Sequence, residues 1–207
     1  MPVSPISPLT ELEKDALAEV SNIAMAGAAS SLRKMVKHEV KLSVPSVEIL
    51  TQQAALQAVS RPDNSKIVAV RQDFSGILAG RALLIFPETS SLELVRAVVG
   101  NELSIDDIID LEDEALAETG NIILNSWVST LANMLKQGLK MSLPVVMRGG
   151  HDQLFQVPAA NENFVLFLRI RFEISQAKIQ GFVALVMDLP TLDEFRALIA
   201  RFIKEHG

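Results

Sequence analysis

Glu19, Asn22 and Pro45 recur as Glu118, Asn121 and Pro144, each 99 positions further along the chain. Asp15 maps by the same offset onto Glu114, so an acid, acid, amide stripe spaced four and three residues apart is carried twice, within DALAEVSN and EALAETGN. At the helical rotation of 100° per residue these spacings gather three side chains on one face. A chain that repeats a stripe in this way is constrained to fold as two copies of one unit, because whatever packs around the first helix must also pack around the second. Asn is a poor residue for a helix interior, at a cost of about a few tenths of a kcal/mol, since its amide competes for nearby backbone groups. One such stripe reads as a solvated helix face. Packing alone does not make Glu and Asn reappear three apart while their neighbours change from SNIAMAGAASS to GNIILNSWVST, so the second copy points to a repeated function.

The elements around the two stripes follow one order. Residues 15–32 read as a helix, and HEVKLSVPSVEIL alternates at Val40, Leu42 and Val44 with the two-residue period of a strand until Pro45 interrupts it. Residues 52–60 read as a short helix. KIVAVRQDF and ILAGRALLIF read as strands joined at Ser75 and Gly76, after which Pro87 opens a helix ending at Gly100. The second half repeats this with a helix over 111–137, a strand KMSLPVVM, strands VLFLRIRFEIS and KIQGFVALVMDL, then Pro190 and a last helix TLDEFRALIARFIKE. The expected fold is α+β: one domain over 1–207, with pseudo-twofold units at about 9–100 and 108–205 sharing one largely antiparallel sheet under two long helices. On that packing Leu12, Val20, Ile23, Leu116, Ile123 and Leu131 are expected to face the core, and Glu19, Asn22, Glu118 and Asn121 the solvent.

Composition removes several function classes. With 207 residues and 49% hydrophobic content the chain can bury a substantial core, yet no segment approaches the roughly 18 uncharged apolar residues of a membrane span. A net charge of −6 without clustered Lys and Arg argues against nucleic acid. There is no Cys, and His38, His151 and His206 are scattered in the pattern of surface histidines, so no metal site is expected. Phosphate-binding glycine loops and nucleophile elbows are absent, and Gly149 and Gly150 before HDQLF read as a turn. The opening MPVSPISPLTELEKD lacks a basic start followed by an apolar core, which makes the cytoplasm the expected compartment.

An acid and an amide supply neither a nucleophile nor a metal-bound water, so the stripe is half a site and a partner brings the rest. The amide suits holding a water in line with phosphorus, and the carboxylate suits pairing with a partner's lysine. Phosphoryl transfer fits this division because it depends mainly on positioning and charge stabilisation. Asp15-x3-Glu19-x2-Asn22 followed by Pro45, with its repeat ending at Pro144, resembles the CheC, CheX and FliY family of chemotaxis phosphatases over nearly the whole chain. Two copies of the motif mark the CheC branch of that family. The resemblance implies hydrolysis of the aspartyl phosphate of a CheY-like response-regulator receiver, with Mg²⁺ held by the receiver and no cofactor bound by this chain. It further implies that Asn22 and Asn121 place the attacking water, that Glu19 and Glu118 pair with the receiver's lysine, and that Asp15 and Glu114 contact the partner. A CheD-like deamidase is a second implied partner.

The sequence departs from the family pattern at VSNIAMAGA, where the family commonly reads IGNIGAGNA, so Ser21 and Ala24 replace glycines. Glu114 stands where the family favours Asp or Ser. Two other functions compete: a non-catalytic adaptor that binds a phosphorylated receiver or a CheD-like protein, and a small-molecule enzyme using Glu19 and Glu118 as acid and base across one cleft, as in glycoside hydrolysis.

Overall fold

In chain order the elements are α1 (Glu11–Val36), β1 (Val40–Thr51), α2 (Gln52–Val59), β2 (Ile67–Gly76), β3 (Gly80–Pro87), α3 (Glu88–Val99), α4 (Ile105–Met134), β4 (Leu139–Met141), β5 (Val145–Gly149), β6 (Asn163–Ile174), β7 (Ala177–Asp188) and α5 (Leu189–His206). They are seen in a computed structural model that describes residues 9–36, 38–60, 66–99, 104–149, 154, 163–174 and 177–206. Gly100, His151 and the turn expected after Gly149, apart from Leu154, lie outside the described residues, as does the side chain of His206.

Among the described residues seven strands form one sheet in the order β1-β6-β7-β3-β2-β4, with β5 also on β2, and every pairing is antiparallel. The order reads the same in reverse when β1 is exchanged for β4 and β5, β2 for β6, and β3 for β7. Each half's first strand therefore pairs with the other half's middle strand, β1 on β6 and β4 with β5 on β2. The halves share one core, and neither keeps a complete sheet alone. Helices α1, α3, α4 and α5 cover one face of the sheet, while α2 and Leu154 cover part of the other. Burial on both faces is why LLIF in β3 and VALVM in β7 are continuous apolar runs rather than alternating ones.

Helix ends follow local chemistry. Thr10 and Glu13 cap α1 reciprocally: the Thr10 amide donates to Glu13 Oε2 at 2.7 Å and the Glu13 amide to Thr10 Oγ1 at 3.2 Å. Ser104 Oγ accepts from the Asp107 amide at 3.2 Å, which starts α4 six residues before the expected 111. Lys136, at φ 53°, closes α4 together with the Gln137 amide bonded to the Ala132 carbonyl at 2.8 Å, so the helix stops short of 137. The turn expected at Ser75 and Gly76 falls just beyond them. Gly76 still pairs with Leu139, and its φ of 151° leaves no room for a Cβ against the Gly138 carbonyl.

The same Glu13 carboxylate meets Arg196 Nη2 at 3.3 Å, tying α5 to α1. Burial acts to raise the Glu13 pKa, but the hydrogen bonds from the Thr10 amide and hydroxyl, with Arg196, outweigh it and hold the group below the ordinary carboxylate range. A lowered carboxylate stabilises the fold above its unfolded value and loses that contribution as pH falls through the folded one. Glu13→Gln should therefore lower Tm near neutrality and flatten its fall on acidification, read by thermal unfolding from about pH 7 to about pH 3. A variant with the parent's acid limb would remove this role from Glu13.

Of the expected core residues, Val20, Leu116, Ile123 and Leu131 are buried, but Leu12 and Ile23 are 61% and 59% exposed. The buried face of α1 runs through Leu17, Val20, Ser21, Ala24, Met25, Ala28, Leu32 and Val36. Ile23 is four residues from Glu19 and so shares the acidic face instead, as does Leu12, three residues before Asp15. The small residues let α1 cross close to α4. Ser126 Oγ donates to the Ala24 carbonyl at 2.7 Å, Trp127 Nε1 donates to Ser21 Oγ at 3.1 Å, and Ser21 Oγ donates to the Leu17 carbonyl at 2.6 Å.

Candidate functional site

Both stripes sit on exposed helix faces: Asp15, Glu19 and Asn22 on α1, Glu114 and Glu118 on α4 are exposed, and Asn121 is half-buried. The structure gathers each stripe on its own helix and does not bring the two together. Helix α5 bonds through Arg196 to Glu13 at the start of α1 and through Glu205 to Lys136 at the end of α4. The helices α1 and α4 therefore run antiparallel across their contact near Gly27 and Ser126, and Glu19 and Glu118, eight residues before it on either helix, lie on opposite sides, roughly 20 Å apart along the helix axes. An acid-base pair across one cleft needs both carboxylates on one substrate, and that reading fails here.

Among the described residues no hydrogen bond or ion pair engages Asp15, Glu19, Glu114 or Glu118, whereas the acids just before them are tied down. Glu13 pairs with Arg196, and Arg148 takes Glu112 at 2.8 Å and Asp113 at 2.6 Å. The charges kept free are those one and two turns from the asparagines.

The asparagines themselves are held from inside. The Val44 amide donates to Asn22 Oδ1 at 3.1 Å. Val44 precedes Pro45, where the β1–β6 register shifts between Ser43 and Ser46, so its N–H leaves the strand ladder and turns to the helix. This accounts for a proline following the stripe: it interrupts the ladder where one backbone donor is needed elsewhere. A backbone N–H only donates, so the oxygen of Asn22 faces inward and Nδ2 makes no hydrogen bond among the described residues.

The second copy reaches the same orientation differently. Asn121 Oδ1 accepts from Asn125 Nδ2 at 2.6 Å and from Gln72 Nε2 at 3.1 Å, and Gln72 Nε2 also donates to the Ser142 carbonyl at 2.8 Å. Ser142 is itself bonded to β2, its amide to the Asp73 carbonyl and its hydroxyl accepting from the Asp73 amide. The strand is thereby broken into β4 and β5 around Pro144, and Leu143, the counterpart of buried Val44, is 85% exposed. Gln72 leaves its Oε1 buried without a partner among the described residues, which costs on the order of 1–3 kcal/mol.

The departures at Ser21 and Ala24 do not touch the exposed face, since both are fully buried against α4. Gly120, the counterpart of Ser21, has no such freedom: a Cβ there would come within 2.5 Å of Val70 Cγ1, because α4 passes directly over β2.

Residue-by-residue reading missed Gln72, Asn125 and Ser142, and it missed the apolar rim. Leu12 and Leu111, both exposed, and Ile23 and half-buried Ile122 flank the two stripes at the same 99-residue offset, which was the available signal. A glutamine inside the apolar run of KIVAVRQDF was the other. Among the described residues no three His, Asp or Glu are grouped to hold a metal ion, and no helix is long and apolar enough to cross a membrane.

The model of the CheC-like family matches residues 12–49, from Leu12 through the first stripe and past Pro45. The CheY-P phosphatase CheC of Bacillus subtilis (strain 168) is 25% identical over 198 residues, covering 92% of this chain and 93% of that protein. The flagellar motor switch phosphatase FliY of the same organism is 21% identical over 143 residues, 68% of this chain and 37% of that protein. Among solved structures, Thermotoga maritima FliY has a TM-score of 0.73 at 23% identity, covering 94% of this chain and 98% of that one. The chemotaxis protein CheX from Desulfovibrio desulfuricans has a TM-score of 0.53 at 16% identity, covering 81% and 99%. These likenesses carry the α+β fold.

Proposed function

We propose that this chain is a member of the CheC-like family and a phosphatase hydrolysing the aspartyl phosphate of a CheY-like response-regulator receiver, in chemotaxis or related two-component signalling, a reading supported by the family match over residues 12–49 and by the likeness to CheC. Water attacks phosphorus in line, the bond from phosphorus to the receiver's aspartate oxygen breaks, and the carboxylate leaves. Inorganic phosphate carries away the water's oxygen, and the water's protons pass to phosphate and solvent. A loose phosphoryl transition state needs little activation of the nucleophile, so placing the water accounts for most of the contribution asked of this chain. Asn22 and Asn121 do this through the outward amide, while Glu19 and Glu118 pair with the lysine beside the receiver's phosphoaspartate. Asp15 and Glu114 add contacts one turn away. Mg²⁺ belongs to the receiver's own site.

The observation that carries this reading is a doubled one. In each stripe the asparagine oxygen is held from inside, while among the described residues the amide nitrogen and the acids beside it are left unpaired at the helix face. That arrangement fits a surface waiting for the other half of a site. The same reading takes residues 1–207 as one phosphatase domain built from units at about 9–100 and 108–205, acting in the cytoplasm and engaging one receiver per stripe. A CheD-like protein is a further partner of this reading.

The deciding experiment mixes the protein at substoichiometric amounts with a receiver charged by acetyl phosphate and Mg²⁺. Phosphate release above the receiver's own rate, over several turnovers, establishes catalysis; binding without added release establishes the adaptor. Glu19→Lys and Glu118→Lys set a lysine against the partner's lysine. They should raise KM about tenfold or more with a smaller change in kcat, and the penalty should shrink in high salt. An unchanged KM in both would remove the glutamates from docking.

A further inference from the structure

We propose that Gln72 is a positioning residue that holds Asn121 with its amide nitrogen outward and makes the second site a donor-only site, chemically unlike the first. The kinetic consequence rests on the phosphatase reading above; the hydrogen-bond assignment does not. Strand register identifies the counterpart of Gln72. Val40 of β1 lies opposite Ile174 and Leu139 of β4 opposite Gly76, while Ser46 lies opposite Arg169 and Val145 opposite Arg71, so Gln72 corresponds to Ile170. Both residues are 1% exposed. One position is apolar beneath the first stripe and an amide beneath the second.

The Ser142 carbonyl, which only accepts, sets the amide of Gln72 with its nitrogen toward Ser142 and Asn121. Both N–H groups of Gln72 are spent there, and among the described residues its oxygen is left buried and unpaired. With Asn125 Nδ2 on the same atom, both lone pairs of Asn121 Oδ1 are filled. Among the described residues Asn22 Oδ1 receives only the Val44 amide, and the counterpart of Asn125 is Ala26. Asn22 thus retains one acceptor lone pair beside its two donors, whereas Asn121 offers donors alone. A doubly held carbonyl also prevents the Asn121 amide from turning over. The second site is therefore fixed by side chains from β2 and α4, and the first by backbone.

The test uses the full chain with Asn22→Ala, which leaves the second site as the source of turnover, and adds Gln72→Met or Gln72→Glu. Gln72→Met should lower kcat by about tenfold or more with KM unchanged, because orientation is lost and not the docking surface. Gln72→Glu should show a pH limb absent from its parent: the protonated carboxyl keeps one donor for the two acceptors, and its ionised form repels both Asn121 Oδ1 and the Ser142 carbonyl, so kcat falls as pH rises. The side-chain amide resonances of Asn121 give a readout independent of activity, shifted in the parent and moving toward the position of an exposed asparagine in Gln72→Met, where Asn125 Nδ2 alone remains on Oδ1. Resonances that do not respond overturn the proposal, and so does a kcat that ignores both substitutions. Resonances that respond in a protein releasing no phosphate uphold the hydrogen-bond assignment, and the phosphatase reading of that stripe fails instead.

Discussion

Asn22→Ala with Asn121→Ala is expected to reduce phosphate release to the receiver's own rate, while either substitution alone leaves the other site turning over. Each asparagine is the group that places the attacking water, and misplacement of a reacting partner costs about a hundredfold. The sites lie on opposite sides of the α1–α4 crossing, so neither substitution reaches the other's hydrogen bonds. Folding should barely change. Asn22→Ala vacates an exposed position where water can take the place of Oδ1 on the Val44 amide, and Asn121→Ala leaves Gln72 its bond to the Ser142 carbonyl. Alanine is the better helix former, and the net loss should stay at about 1 kcal/mol or less per site. Phosphate release and a urea melt on the same samples check both halves. A folded double variant that hydrolyses at the parent rate ends the water-positioning role and leaves the adaptor as the better reading.

Trp127→Ala should have the largest effect on stability. The indole is fully buried where α4 meets α1, and its Nε1 bonds to Ser21 Oγ. Removing a buried Trp costs about 3–5 kcal/mol in lost burial and residual cavity, which for a chain of this length lowers Tm by roughly 10 °C. Trp127→Phe retains most of the packing and loses the N–H bond, so its cost should be about 1 kcal/mol. Because both stripes ride on these helices, Trp127→Ala should also lower turnover at both sites below the melting transition. A Trp127→Ala protein within about 1 kcal/mol of the parent would show that the helix pair is held elsewhere.

Much of the site was legible in the sequence because its signals are local or periodic. Four- and three-residue spacings place Asp15, Glu19 and Asn22 on one face wherever the helix lies, and the 99-residue offset carries that face to Glu114, Glu118 and Asn121. Alternation and turn chemistry located most elements, with errors at ends decided by single caps such as Ser104. The outward faces of Leu12 and Ile23 were misjudged because residue type was read as burial. The offset contained the correction, since Leu111 and Ile122 repeat them.

The sequence by itself determined that two equivalent helices each carry an acid, acid, amide face, followed by a strand that proline interrupts. Only the tertiary structure decided that β1 completes the other half's sheet, that Val44 and Gln72 reach the two asparagines by different means, and that Ser21 serves Trp127. The reason is physical. Helical and strand periods are written within a few residues, whereas Gln72 and Asn121 stand 49 positions apart and Ser21 and Trp127 stand 106 apart. Such pairs are brought within hydrogen-bond distance by the packing of two helices over a shared sheet, and no local spacing encodes that encounter.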